Sequence, residues 1–188
     1  GRGAPHAVAL ISPELMRVVR AQYRLDWHGH HGVAHWARVR RHGLEIGTLV
    51  GADLRVVELF AVLHDSRRHN EGRDPDHGQR AADYAHWLNG RCFELEPAAM
   101  ALLAQACRTH TGGSGAAPVT VHACWDADRL DLGRVGISPD RRYLSTLPAR
   151  ERQRIDAAIA WSCGGARRAN GAVGLVEHIE LRSRAARH

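Results

Sequence analysis

The chain has 188 residues, 44% of them hydrophobic and 24% charged, with a formal net charge of +6. That is one domain's worth of chain with enough apolar content for a sizeable core, which excludes disorder as its main state, and no apolar run approaches the roughly 18 residues of a membrane helix. All 26 basic residues are Arg and none is Lys, which with the abundant Ala and Gly reads as GC-rich coding bias rather than a nucleic-acid footprint, so dedicated nucleic-acid binding is not expected.

Residues 1–11 lack an initiator Met and a charged-then-apolar pattern, and read as a leader ahead of a domain over 12–162. Ser12-Pro13-Glu14 is a helix start, a capping residue before a Pro suited to the first helical position, and predicts a helix over about 13–24. Asp26 to Gly32 is a His- and Gly-rich loop, in which Gly29 and Gly32 suggest flexibility and His31 is the histidine best placed to face a pocket. A second helix follows over Val33 to Val50 with Gly43 as a weak point, and Asp53 caps a third that runs through Val56, Val57, Leu59, Phe60 and Leu63 into His64-Asp65. Ser66 to Pro75 is a polar loop, after which Asp76 is placed to cap a helix over about 77–90. Glu96-Pro97 opens another that ends before Gly112-Gly113, a stretch read as loop rather than phosphate cradle. Helices are expected over Thr120–Leu132 and Leu147–Trp161, and a last one near 172–184 within an Arg-rich segment over 163–188 read as a solvated tail. Extended strand patterns are nearly missing, so the prediction is an all-α, single-domain helical bundle. Cys92, Cys107, Cys124 and Cys163 form no CxxC pair and read as small buried core residues of a reducing, cytoplasmic compartment.

Fourteen histidines are the most informative compositional feature, and their placement matters more than their number. Adjacent helical residues point about 100° apart, yet His64 and Asp65 sit where the third helix ends and can both reach one ion. A neutral imidazole nitrogen and a hard carboxylate oxygen together suit Mn, Fe, Zn and similar divalent ions. His35 lies upstream on a neighbouring helix, His77 opens the helix after the polar loop, His110 closes the next, and Asp128 lies in Asp126-Ala127-Asp128-Arg129-Leu130-Asp131. Asp128 shares its helical face with Cys124, Trp125, Asp131 and Leu132, whereas Asp126 shares the other with His122, Arg129 and Leu130; this makes Asp128 the inward carboxylate and Asp131 its supporting partner. A surface cluster pairing Arg129 and Arg134 is the competing reading of these aspartates. Arginines beside the His-Asp pair could bind phosphate through charge-assisted, bidentate bonds, with Arg68 and Arg80 chosen over Arg67. His69, His86, His122 and His178 carry no functional expectation.

The order His, His-Asp, further His and a late Asp resembles the HD-domain superfamily of metal-dependent phosphohydrolases over roughly residues 28–138, with His35-x-x-Arg38-Val39 and Ala127-Asp128-Arg129-Leu130 as its most specific flanks. Through His64-Asp65-Ser66 and Asp74-Pro75-Asp76-His77-Gly78 the chain looks most like the small bacterial stand-alone members. The resemblance implies a basic metal set of His35, His64, Asp65 and Asp128, with His77 and His110 at places where binuclear members put further ligands. It implies one or two divalent ions (Mn, Fe, Mg, Zn, Co or Ni), a catalytic His64-Asp65 pair, and hydrolysis of a nucleotide or other phosphorylated small molecule by a water whose pKa the ion lowers. Two alternatives stay open. One is a di-iron oxygenase using the six-residue His/Asp set, and the other is a non-catalytic nucleotide-binding scaffold. A P-loop, an HExxH motif and a G-x-S-x-G elbow are all missing, which removes those three chemistries.

Overall fold

A computed structural model of the protein describes residues 10–163, so the leader before residue 10 and the helix expected near 172–184 lie outside the described residues. Seven α-helices follow in chain order: α1 (Pro13–Gln22), α2 (Val33–Val50), α3 (Leu54–Leu63), α4 (His77–Leu88), α5 (Pro97–Thr109), α6 (Val119–Leu130) and α7 (Arg152–Cys163). Among the described residues there is no β-strand, only an isolated bridge between Asn89 and Phe93, so the all-α expectation holds. No helix among them is long and apolar enough to cross a membrane.

The ends of α1 and α3 form as their sequences dictate. Ser12 Oγ accepts the Leu15 N–H at 3.1 Å, Asp53 Oδ1 accepts the Arg55 N–H at 3.0 Å, and α2 stops at Gly51, whose φ of 72° suits glycine. Asp76 does not cap α4, because its backbone (φ −96°, ψ 0°) lacks the extended geometry that turns a capping carboxylate onto the first helical N–H groups. The helix expected over 147–161 is broken: Pro148–Arg150 is a tight turn, Glu151 is extended, and α7 starts only at Arg152. The helix expected to reach Leu132 ends at Leu130 and tightens into a turn over Asp131–Val135.

In α3 every residue from Leu59 to Leu63 is buried, together with Val56 and Val57. A helix whose last five residues are apolar all round has to have that end surrounded by other elements. It lies against α2, α5 and α6, while α4 pairs with α5. The closeness of α2 to α3 explains Gly43, where a Cβ would stand 2.5 Å from Val57 Cγ1. The central helix therefore carries His64-Asp65 at its end into the middle of the molecule, where both are buried. Of the cysteines, Cys107 and Cys124 are core residues, but Cys92 is half-buried and Cys163 exposed, since α7 packs only through one face.

Candidate metal centre

Six residues from five elements converge at the end of α3. His35 (α2), His64 and Asp128 (α6) form one triad, and Asp65, His77 (α4) and His110 form a second; the ligand atoms within each lie within 4.8 Å of one another. Asp65 stands between them. Its Oδ1 lies 3.2 Å from His77 Nε2 and 3.6 Å from His110 Nε2, and its Oδ2 lies 3.6 Å from His35 Nε2 and 3.8 Å from His64 Nε2. The two oxygens of one carboxylate thus face two sets of imidazoles.

The hydrogen bonds behind the imidazoles decide which nitrogen is bare. His64 Nδ1 donates to the Phe60 carbonyl at 3.0 Å, His110 Nδ1 to the Cys107 carbonyl at 2.7 Å, and His77 Nδ1 to the Asp74 carbonyl. Carbonyls only accept, so these three protons sit on Nδ1. His35 Nδ1 donates to Asp131 Oδ2 at 2.7 Å, and Arg38 of the His-x-x-Arg-Val flank holds that carboxylate through Nε at 2.6 Å. Burial by itself raises the Asp131 carboxyl, but the His35 bond and the Arg38 charge outweigh it and hold it low.

All four Nε2 atoms therefore present lone pairs, and they do so in facing pairs: His35 to His64 at 3.0 Å and His77 to His110 at 2.9 Å. Two bare lone pairs at that distance repel unless a cation lies beside them. Asp128 Oδ1, buried and without a hydrogen-bond partner, lies 3.4 Å from His35 Nε2 and 3.5 Å from His64 Nε2. Both triads fit a divalent ion by their donors and by these unsatisfied atoms, and the carbonyl and carboxylate bonds behind the rings are the support that metal-ligating histidines use.

The two carboxylates are poised as anions. Burial pushes both upward, but the His31 Nδ1–H and the neighbouring imidazoles outweigh it at Asp65, and the facing imidazoles with the Arg134 guanidinium do so at Asp128, so both carboxyls are held well below the usual range.

The centre opens into a cavity of ≈ 800 Å³. Arg68 lines it, with Nη1 3.3 Å from His77 Nε2 and 3.5 Å from Asp65 Oδ1. Arg80, expected to bind substrate, does not line it: Nη2 bonds both Asp74 oxygens at 2.7 and 2.6 Å, and the side chain faces a separate groove beside α1. Asp74 lies on the loop before α4, so the ion pair draws Arg80 away from the centre.

Several cavity residues were not expected from the sequence. Arg134, in the turn after α6, donates Nε to the His30 carbonyl and Nη1 to the Asp131 carbonyl, and brings Nη2 to 3.9 Å from Asp128 Oδ1. The Gly112–Gly115 loop and His122 form another wall. The His28–His31 loop is not held loosely. Trp27 and Tyr23 pack edge-on against Trp36 at 5.2 and 5.3 Å, and His31 Nδ1 reaches Asp65 Oδ2 at 2.8 Å. Asp126, the outward alternative to Asp128, is itself buried and binds the Ser145 and Thr146 N–H groups at 2.7 Å each.

No protein-family model and no curated protein matches the chain. A solved structure does: one described as a predicted HD superfamily hydrolase, from an uncultured Thermotogales bacterium, is 26% identical, covers 82% of this chain and 88% of its own, and superposes with a TM-score of 0.59.

Proposed function

We propose that this chain, whose resemblance to the HD-domain superfamily holds in three dimensions, is a metal-dependent phosphohydrolase acting on a nucleotide or another phosphorylated small molecule. The structural neighbour and the buried His/Asp cluster support a metal-dependent hydrolase of the HD type. The pairing of that cluster with arginines is the observation that carries a phosphorylated substrate. The two triads lie at the base of a cavity lined by Arg68 and Arg134, with Asp65 of one standing 3.6 Å from His35 Nε2 of the other. Charge-assisted donors next to hard-cation ligands are what a phosphoryl group needs.

His35, His64 and Asp128 would hold one divalent ion and Asp65, His77 and His110 a second. Such ions supply Lewis acidity toward phosphoryl oxygens and a water of lowered pKa. The chain's own residues do the rest. Asp131 and the backbone carbonyls fix the imidazole tautomers, His31 holds a proton on Nδ1 against Asp65, and Arg68 and Arg134 offer N–H groups to the phosphoryl oxygens.

A screen of the purified protein, loaded in turn with Mn, Fe, Mg, Zn, Co and Ni, against phosphomonoesters, nucleotides and cyclic dinucleotides tests this. Turnover with at least one metal is expected. Inactivity of metal-loaded protein on every phosphate substrate would overturn it. The gathering of all six His/Asp residues also favours a second reading, a di-iron oxygenase, for which two irons per chain and oxygen consumption are the signature.

A further inference from the structure

The cavity over the metal centre is unbalanced in charge. Five arginines line it, Arg68, Arg129, Arg134, Arg142 and Arg150, and the only carboxylates in its lining are Asp65 and Asp128 of the centre itself. Most of these guanidiniums are already engaged. Arg68 donates to the carbonyls of Asn70 and Gly72, Arg129 to those of Tyr143 and Gly113, and Arg142 is exposed and paired with Asp140.

Two are not fully used. Arg134 is nearly buried, at 8% side-chain exposure, and keeps Nη2 directed toward Asp128 and the first triad. Arg150 donates only Nε, to the Leu144 carbonyl at 2.6 Å, and among the described residues its two terminal nitrogens meet no acceptor. Its backbone is tied to a held segment: Asp126 binds the Ser145 and Thr146 N–H groups at 2.7 Å each, and the Arg150 N–H donates to the Thr146 carbonyl at 3.3 Å. A fork of two free N–H groups in a fixed wall is a receptor for a phosphate or similar oxyanion.

We infer that the ligand of this cavity carries two separate phosphoryl groups, one received at the metal centre with Arg134 and the other by the terminal nitrogens of Arg150. The inference rests on the phosphohydrolase reading for the first group and on the Arg150 wall alone for the second. A monophosphate satisfies the centre and leaves the Arg150 fork empty, whereas a bis-phosphorylated nucleoside fills both.

The experiment compares adenosine monophosphate with adenosine bisphosphate, which differs by one added ribose phosphate. Binding to the full-length, metal-loaded chain is measured by equilibrium dialysis with non-hydrolysable phosphonate analogues of both nucleotides, and initial rates are measured on the nucleotides themselves. The bisphosphate should bind about tenfold more tightly than the monophosphate. In Arg150→Gln that ratio should fall to near one, and Arg150→Lys, which keeps the charge but not the fork, should recover only part of it. Melting curves of both variants identify any that fail to fold, and the lysine variant then carries the comparison. Equal binding of the two nucleotides to the unmutated chain, or a ratio unchanged in a folded Arg150→Gln, would overturn the inference. Preferential binding without hydrolysis of either nucleotide supports the second anion site and removes these two nucleotides as substrates, while the phosphohydrolase reading stands or falls with the full metal and substrate screen.

Discussion

Asp65 is asked to hold a charge in the interior of the molecule. It is buried at 2% exposure yet ionised, and both of its oxygens face imidazole nitrogens. A buried carboxylate needs compensation, and two explanations compete: a metal pair, or the Arg68 guanidinium whose Nη1 stands 3.5 Å away. Asp65→Asn separates them, because it keeps the shape and removes the charge. Metal content by elemental analysis should fall by at least half while the helical circular dichroism spectrum stays unchanged. Full occupancy in the variant would show that the carboxylate serves the arginine and not an ion. The helical faces of α6 pointed to Asp128 beside the histidines and Asp131 behind them, but not to the burial of Asp126, whose partners Ser145 and Thr146 lie far along the chain. The Arg80 and Arg134 positions were not, because each depends on a partner outside its own helix: a loop carboxylate, Asp74, for one and the His30 carbonyl for the other.

At the scale of elements, the second triad depends on how closely α4 approaches α5. Gly78 makes that approach possible, since a Cβ there would lie 2.5 Å from the Cys107 carbonyl oxygen and 3.1 Å from that of Arg108. Neither backbone atom can move aside cheaply, so Gly78→Ala should push α4 outward and part His77 from His110. The expected result is loss of the ion at Asp65, His77 and His110 with retention of the other, read as a drop in bound metal per chain; unchanged stoichiometry in a folded variant would refute it. The wall over Ser145 and Thr146 depends in turn on Asp126, whose burial pushes its carboxyl up and whose bonds from Ser145 and Thr146 oppose that. Asp126→Ala strands those donors and should cost about 3 kcal/mol, from roughly 1–3 kcal/mol for each unsatisfied buried group, visible as a lower denaturation midpoint together with weakened turnover. The helices themselves were readable because caps, prolines and apolar spacing are local signals, and the bounds of α2 and α3 coincide with those expected. The break at Glu151 was not, because the turn before it is set by bonds to Leu144 and Thr146 rather than by its own residues.

For the whole molecule, acid sensitivity should come from a histidine far from the chemistry. His42 on α2 is stacked on Trp161 of α7, at 5.3 Å between ring centroids, and neither of its ring nitrogens has a hydrogen-bond partner. Burial is the main cause that pulls its pKa down from 6.5 to about 4. The unfolded chain then binds a proton that the folded chain refuses. Stability is full above pH 6.5 and is lost as pH falls toward 4. The loss amounts to about 3 kcal/mol at 1.36 kcal/mol per pKa unit. Urea denaturation across that range should show the decline in the unmutated chain and a flatter profile in His42→Leu. An equal slope in both would place the acid sensitivity elsewhere.

The position of Asp65 between the two triads also bears on how such a protein can change over time. The first triad is built from α2, α3 and α6, while the second borrows two of its three side chains from the α4–α5 hairpin. That hairpin can therefore be altered as a unit, by a longer loop after Asp65 or a bulkier residue in place of Gly78, without touching the scaffold that positions His35, His64 and Asp128. A change confined to that hairpin would turn a two-ion centre into a one-ion centre while the central helix stays as it is.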